Sequence, residues 1–202
     1  MPDLSAHTKA SEEDYFRKKE KDLIEKLKKK AAAEAHRRGL ADAIGLDNQQ
    51  ILGVLQEMGF DRSTVMLLFL FPLLQVAWSD GEISEEERAL ILKAAKTHGV
   101  EEGSAAHEKL VGLLRTQPAP VLFERALKVI QDLLRFQKGE ARQSTSTKLM
   151  DGCERVAAAS GGILGLGPKV SAKEKAVLRR VAAAVGGKHA AAAADVESRL
   201  KP

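Results

Sequence analysis

Disulfide pairs and membrane-length apolar runs are missing from this sequence, and aromatic residues are scarce. Its 202 residues include one cysteine, Cys153, so no internal disulfide can form, and a lone thiol fits a reducing cytoplasm. Aromatic residues make up 4% of the chain, and stretches rich in Val, Ile, Tyr and Thr are absent. That scarcity points away from a β-rich core. No basic segment followed by an apolar core opens the chain, which points away from secretion. The apolar run over residues 65–74 falls short of the roughly 20 residues a bilayer span needs, and Pro72 interrupts it. It reads as a buried helix.

What is present is alanine, leucine and charge. Hydrophobic residues reach 44%, enough for one core in a chain of this length. The composition is that of an all-α fold. The net charge of +4 is unevenly placed: residues 9–38 hold eleven Lys or Arg against seven acids, and the remainder holds twenty-one of each. This segment can meet an acidic protein face or anionic lipid, or it is a solvated helix with pairs such as Glu25 and Lys29 at i, i+4. Nucleic acid fits less well, because acids interrupt the basic residues and only Tyr15 and Phe16 could stack on bases.

Residues 1–10 read as a disordered tail, 11–40 as a basic amphipathic helical arm and 41–202 as one helical domain. Ser11 stands as an N-cap before Glu12, Glu13 and Asp14, acids that complement a helix dipole. Gly39 is the expected stop. The arm's apolar positions are Tyr15, Phe16, Leu23, Ile24, Leu27 and Ala31, too thinly spread for a self-standing coiled coil. Further helices are expected near 48–57, from Asp61 or Ser63 to Ser79, and over 85–98, 102–114, 120–134, 141–160, 172–185 and 188–200. Pro72 predicts a kink or restart in the second of these.

One pattern occurs twice. The stretch VAWSDGEISEEERALILKAA, from Val76, is answered by VAAASGGILGLGPKVSAKEKAVLRRVAAA, from Val156. Each has Val-Ala closing a helix, a glycine-bearing turn, an apolar residue, and then Ser-x-x-Glu opening an amphipathic helix. Ser84 with Glu87, and Ser171 with Glu174, are capping boxes, with Ile83 and Val170 in the hydrophobic-staple position. Two equivalent helical pairs packed about an approximate twofold are the expected consequence.

The first turn also carries five acids in the eight residues from Asp80 to Glu87. Gly81 and Glu87 match the spacing of a calcium-binding EF-hand loop, but Val76 and Trp78 stand where its first ligands belong. A genuine EF-hand is excluded. Asp80, Glu82 and Glu87 remain as candidate ligands for calcium or magnesium, against the alternative that they only cap and complement a helix N-terminus.

These two stretches, in this order, resemble the tellurite-resistance TerB-like family and its relatives found with J-domain co-chaperones, over about residues 61–185. The resemblance implies an internally duplicated helical bundle in a bacterial cytoplasm or at the inner face of its membrane. It further implies acidic turn residues that bind a divalent cation, which carry over to Asp80 and Glu87. In the second copy Ser160-Gly161 replaces Asp-Gly, so only Glu174 matches there. The arm, EEDYFRKKEKDLIEKLKKK, is also similar over about twenty residues to the helical ATP-synthase inhibitor proteins.

Other patterns carry little chemistry. GGILGLGPK, at residues 161–169, lacks the phosphate-binding G-x-x-x-x-G-K-[ST] order. The histidines at 7, 36, 98, 107 and 189 show no zinc-ligand spacing. Cys153 has no base placed near it in the chain and reads as a buried side chain. No nucleophile, base and acid fall into a catalytic order. The expectation is a non-enzymatic module that binds protein partners in stress or envelope-associated assemblies. The alternatives are a divalent-cation sensor and a regulatory helix protein.

Overall fold

The structure, a computed structural model, describes residues 4–159 and 170–186, with side chains from Tyr15 onward. Its elements are α1 (Leu4–Ile44), α2 (Gln49–Glu57), α3 (Phe71–Ala77), α4 (Glu85–Thr97), α5 (Ala105–Arg115), α6 (Pro120–Phe136), α7 (Gly139–Ala159) and α8 (Ala172–Val185). Among the described residues there is no strand, and the fold is an all-α helical bundle. The glycine turn at 161–169 and the expected helix at 188–200 lie outside the described residues.

Helix α1 departs from expectation at both ends. It runs through Ser11 and Gly39 and stops at Gly45, whose φ of 68° is the left-handed stop that Gly39 was expected to provide. Burial explains the extension. Leu40 is fully buried, and Ala41, Ala43 and Ile44 pack against the core, so the last helical turns gain apolar contacts that outweigh glycine's cost of about 1 kcal/mol in a helix interior. Gly39 leaves room for a neighbour: a Cβ there would lie 3.4 Å from that of Arg62. His36 and Gln56 meet at 2.9 Å, which ties this end to α2.

The segment around Pro72 restarts as expected. Residues Val65–Leu70 form a 3₁₀ helix and α3 begins beside the proline, whose missing N–H has no partner to lose in a first helical turn. Asp61, one of the two expected caps, accepts from the amides of Ser63 and Thr64 at 2.9 Å each. The Ser63 hydroxyl, at 2.6 Å, does most to hold the Asp61 carboxyl below the usual range. Phe71 lies edge-on to both Phe60 and Phe123, at 5.7 and 6.1 Å, and Leu73, Val76 and Ala77 are buried. Helix α3 is the centre of the bundle, in contact with α4, α6, α7 and α8.

The two helical pairs correspond in burial. Leu73, Val76 and Ala77 of α3 match Cys153, Val156 and Ala157 of α7; one and two turns past the capping glutamates, Ile91 and Ala95 of α4 match Leu178 and Ala182 of α8. All ten are buried. Helices α3 and α7 pack on each other, α4 reaches α7, and α8 reaches α3. Smaller differences from expectation occur at α5, which starts later because Ser104 accepts from the His107 amide at 3.1 Å, and at α7, which starts at Gly139.

Candidate functional site

The turn from Trp78 to Glu87 is built by local hydrogen bonding. After α3 the chain makes a 3₁₀ turn, Trp78–Asp80, and reverses at Gly81, where φ is 102°. An L side chain would be strained at that angle. Trp78 fixes the turn by donating its indole N–H to the Leu113 carbonyl at 3.0 Å, and Arg88 donates to the Leu114 carbonyl at 3.2 Å. Ser84 then caps α4. Its hydroxyl accepts from the Glu87 amide at 3.2 Å, and its own amide donates to Glu87 Oε2 at 2.8 Å. The second unit repeats this, with 3.2 Å from the Glu174 amide to Ser171 Oγ and 2.6 Å from the Ser171 amide to Glu174 Oε2. Both capping boxes are complete, and both staple residues, Ile83 and Val170, pack against the core.

These two caps adjoin in space. Ser171 Oγ donates to Asp80 Oδ1 at 3.4 Å, joining the first turn to the second cap. Glu87 and Glu174 are 3% and 1% exposed, which removes both from ready access by a solvated ion. Burial pushes the Glu87 carboxyl above its usual range; its bonds from Ser84 oppose that shift, and Glu174 and Asp80 add repulsion. Among the candidate ligands, Asp80 and Glu87 are thus brought close, joined by Glu174, while Glu82 is exposed to solvent. Each buried glutamate commits its Oε2 to its own helix cap. Among the described residues no group of three or more His, Cys, Asp or Glu side chains is placed to hold a metal ion.

The contact between Asp80 and Ser171 was not read from the sequence. Its only trace there is the repeated capping box, since the two residues are far apart in the chain. Elsewhere, Cys153 is fully buried, and burial raises its thiol well above the range in which a thiolate forms. His98 stacks on Phe69, with ring centroids 6.2 Å apart, and His36 is bonded to Gln56.

The second candidate site is the arm. Every residue from Tyr15 to Ala33 is exposed. Phe16, Leu23 and Leu27 are 65%, 58% and 57% exposed, unusual for large apolar side chains on one helix. Lys19 lies over the Tyr15 ring at 4.9 Å, and Glu25 pairs with Lys29 at 2.7 Å, as the spacing predicts. Among its described side chains, only those in the C-terminal part of α1, from Glu34 on, are shielded by the bundle. No helix among the described residues is long and apolar enough to cross a membrane. In comparisons with family models, curated proteins and solved structures, nothing matches this chain.

Proposed function

We propose that this protein is a non-enzymatic adaptor of the TerB-like kind, acting in envelope-associated or stress-linked assemblies. The bundle is its stable body and α1 its docking element. The observation that carries the reading is the exposed apolar side chains of Phe16, Leu23, Ile24 and Leu27, on a helix whose described side chains are shielded by the bundle only from Glu34 on. Leaving such groups in water costs about 1.5–3 kcal/mol each relative to burying them, and a binding surface accounts for that arrangement. The repeated capping boxes and matched helical pairs support the TerB-like assignment. The burial of Cys153 supports a non-catalytic role.

The test is capture from native cells with the intact chain and with a Leu23→Ser, Leu27→Ser double variant. Both positions are exposed, so the variant should melt as the parent does. Loss of specific proteins or membrane fragments from the variant's capture supports the adaptor; identical captures from both would overturn it.

A further inference from the structure

We propose that α1, over residues 15–30, is an interfacial helix that lies on an anionic phospholipid surface. This rests on the adaptor reading, and names what its arm meets. Residues on an α-helix advance by about 100° each, so Phe16, Leu23, Ile24 and Leu27 share one face, with Ala31 continuing it. Lys19, Lys26 and Lys30 run along one border of that face, and Arg17, Lys21 and Lys28 along the other. Asp22 and Glu25 lie on the opposite side, where Glu25 is already paired with Lys29. The apolar stripe is therefore bordered by cations on both flanks, with Asp22 and Glu25 turned away from it and Glu20 alone among the acids lying on it.

That distribution selects among occupants. A second copy of the helix is disfavoured in both orientations. Packing stripe on stripe brings a cationic border against a cationic border whether the helices run parallel or antiparallel, and like charges at flanking positions oppose pairing. A bilayer surface suits the same layout. Lys and Arg extend from the borders to lipid phosphates while the apolar face enters the boundary between headgroups and acyl chains. An anionic leaflet adds attraction for each basic residue near it. Glu20 is the one acid on the stripe, between Phe16 and Leu23; it keeps the helix at headgroup level. The stripe is thinly populated, with Glu20 where a further apolar anchor for a protein groove would stand, and a fluid lipid surface demands no fixed register.

The experiment is co-sedimentation of the full-length protein with phosphatidylcholine vesicles, with and without phosphatidylglycerol. Three chains are compared: the parent, Leu23→Ser with Leu27→Ser, and Lys26→Glu with Lys30→Glu, each checked for an unchanged melt. The expected result is binding to the anionic vesicles that is at least roughly tenfold stronger than to neutral ones and weakens with salt. Both double variants should lose roughly tenfold or more. Equal binding to both vesicle types, unchanged binding by the charge-reversed variant, or arm-dependent dimers of the protein alone would overturn the proposal. Failure to bind either vesicle, with the Leu23→Ser, Leu27→Ser variant still losing a soluble protein from native-cell capture, rejects the membrane and leaves the adaptor. If that variant also captures what the parent does, both readings fail.

Discussion

Glu87 and Ser84 do two separable things at the head of α4. The serine satisfies an amide that the helix leaves open, and the glutamate closes the cap while carrying a charge into a buried place beside Glu174 and Asp80. Ser84→Ala removes the first contribution and should lower stability by about 1 kcal/mol. Glu87→Gln removes the charge but keeps the cap, because glutamine also serves at the third helical position. The native carboxyl stands above its usual range, so the folded protein holds that proton to higher pH than the unfolded chain does. Stability from this group therefore falls as pH rises from the ordinary glutamate value through the raised native one, and levels off above it. Glu87→Gln should gain on the parent across that window, measured as the difference between their denaturant midpoints at a series of pH values. Parallel curves would show that the charge is not strained there.

At the scale of elements, α1 consists of two parts with different roles. Residues 15–33 are exposed throughout, whereas Leu40 is 0% exposed and sits in the core. A chain beginning at residue 34 should keep a cooperative melt close to that of the parent. Leu40→Ala, which leaves a cavity, should cost about 2–5 kcal/mol. Circular dichroism melts of the two proteins check this, and a truncation that unfolds would show that the arm belongs to the bundle. The cut lies before Glu34, because removing everything ahead of residue 41 would also take Leu40 away.

For the whole molecule, the contact between α3 and α7 is one of those that join the two helical pairs. Gly152 of α7 faces Leu73 of α3, and a Cβ there would meet the Leu73 methyls at 3.4 and 3.5 Å. Gly112 of α5 has open space where its Cβ would go. Replacing glycine by alanine in a helix gains about 0.5–1 kcal/mol when nothing resists. Gly112→Ala should show that gain, while Gly152→Ala should show less or reverse it, because the crowding at Leu73 opposes it. Equal stabilisation of both, by chemical denaturation, would mean that α3 and α7 are not packed this closely.

Capping and helix restarts were legible in the order of residues because their causes lie within a few positions along the chain. Ser84 with Glu87, Ser171 with Glu174, the restart at Pro72 and the bounds of α8 all follow from hydrogen bonds or steric limits inside one helical turn. The same locality made the all-α composition easy to read. Three features depended on partners distant in sequence. Helix α1 passes Gly39 because Leu40 meets a core built by later helices. The Glu87 carboxyl is strained because burial and Glu174, from the other helical pair, both act on it. Asp80 meets Ser171 because α8 packs against the turn that follows α3. Hydrogen-bond capping is a property of neighbouring residues, whereas burial and charge proximity are set by which surfaces the folded chain brings together.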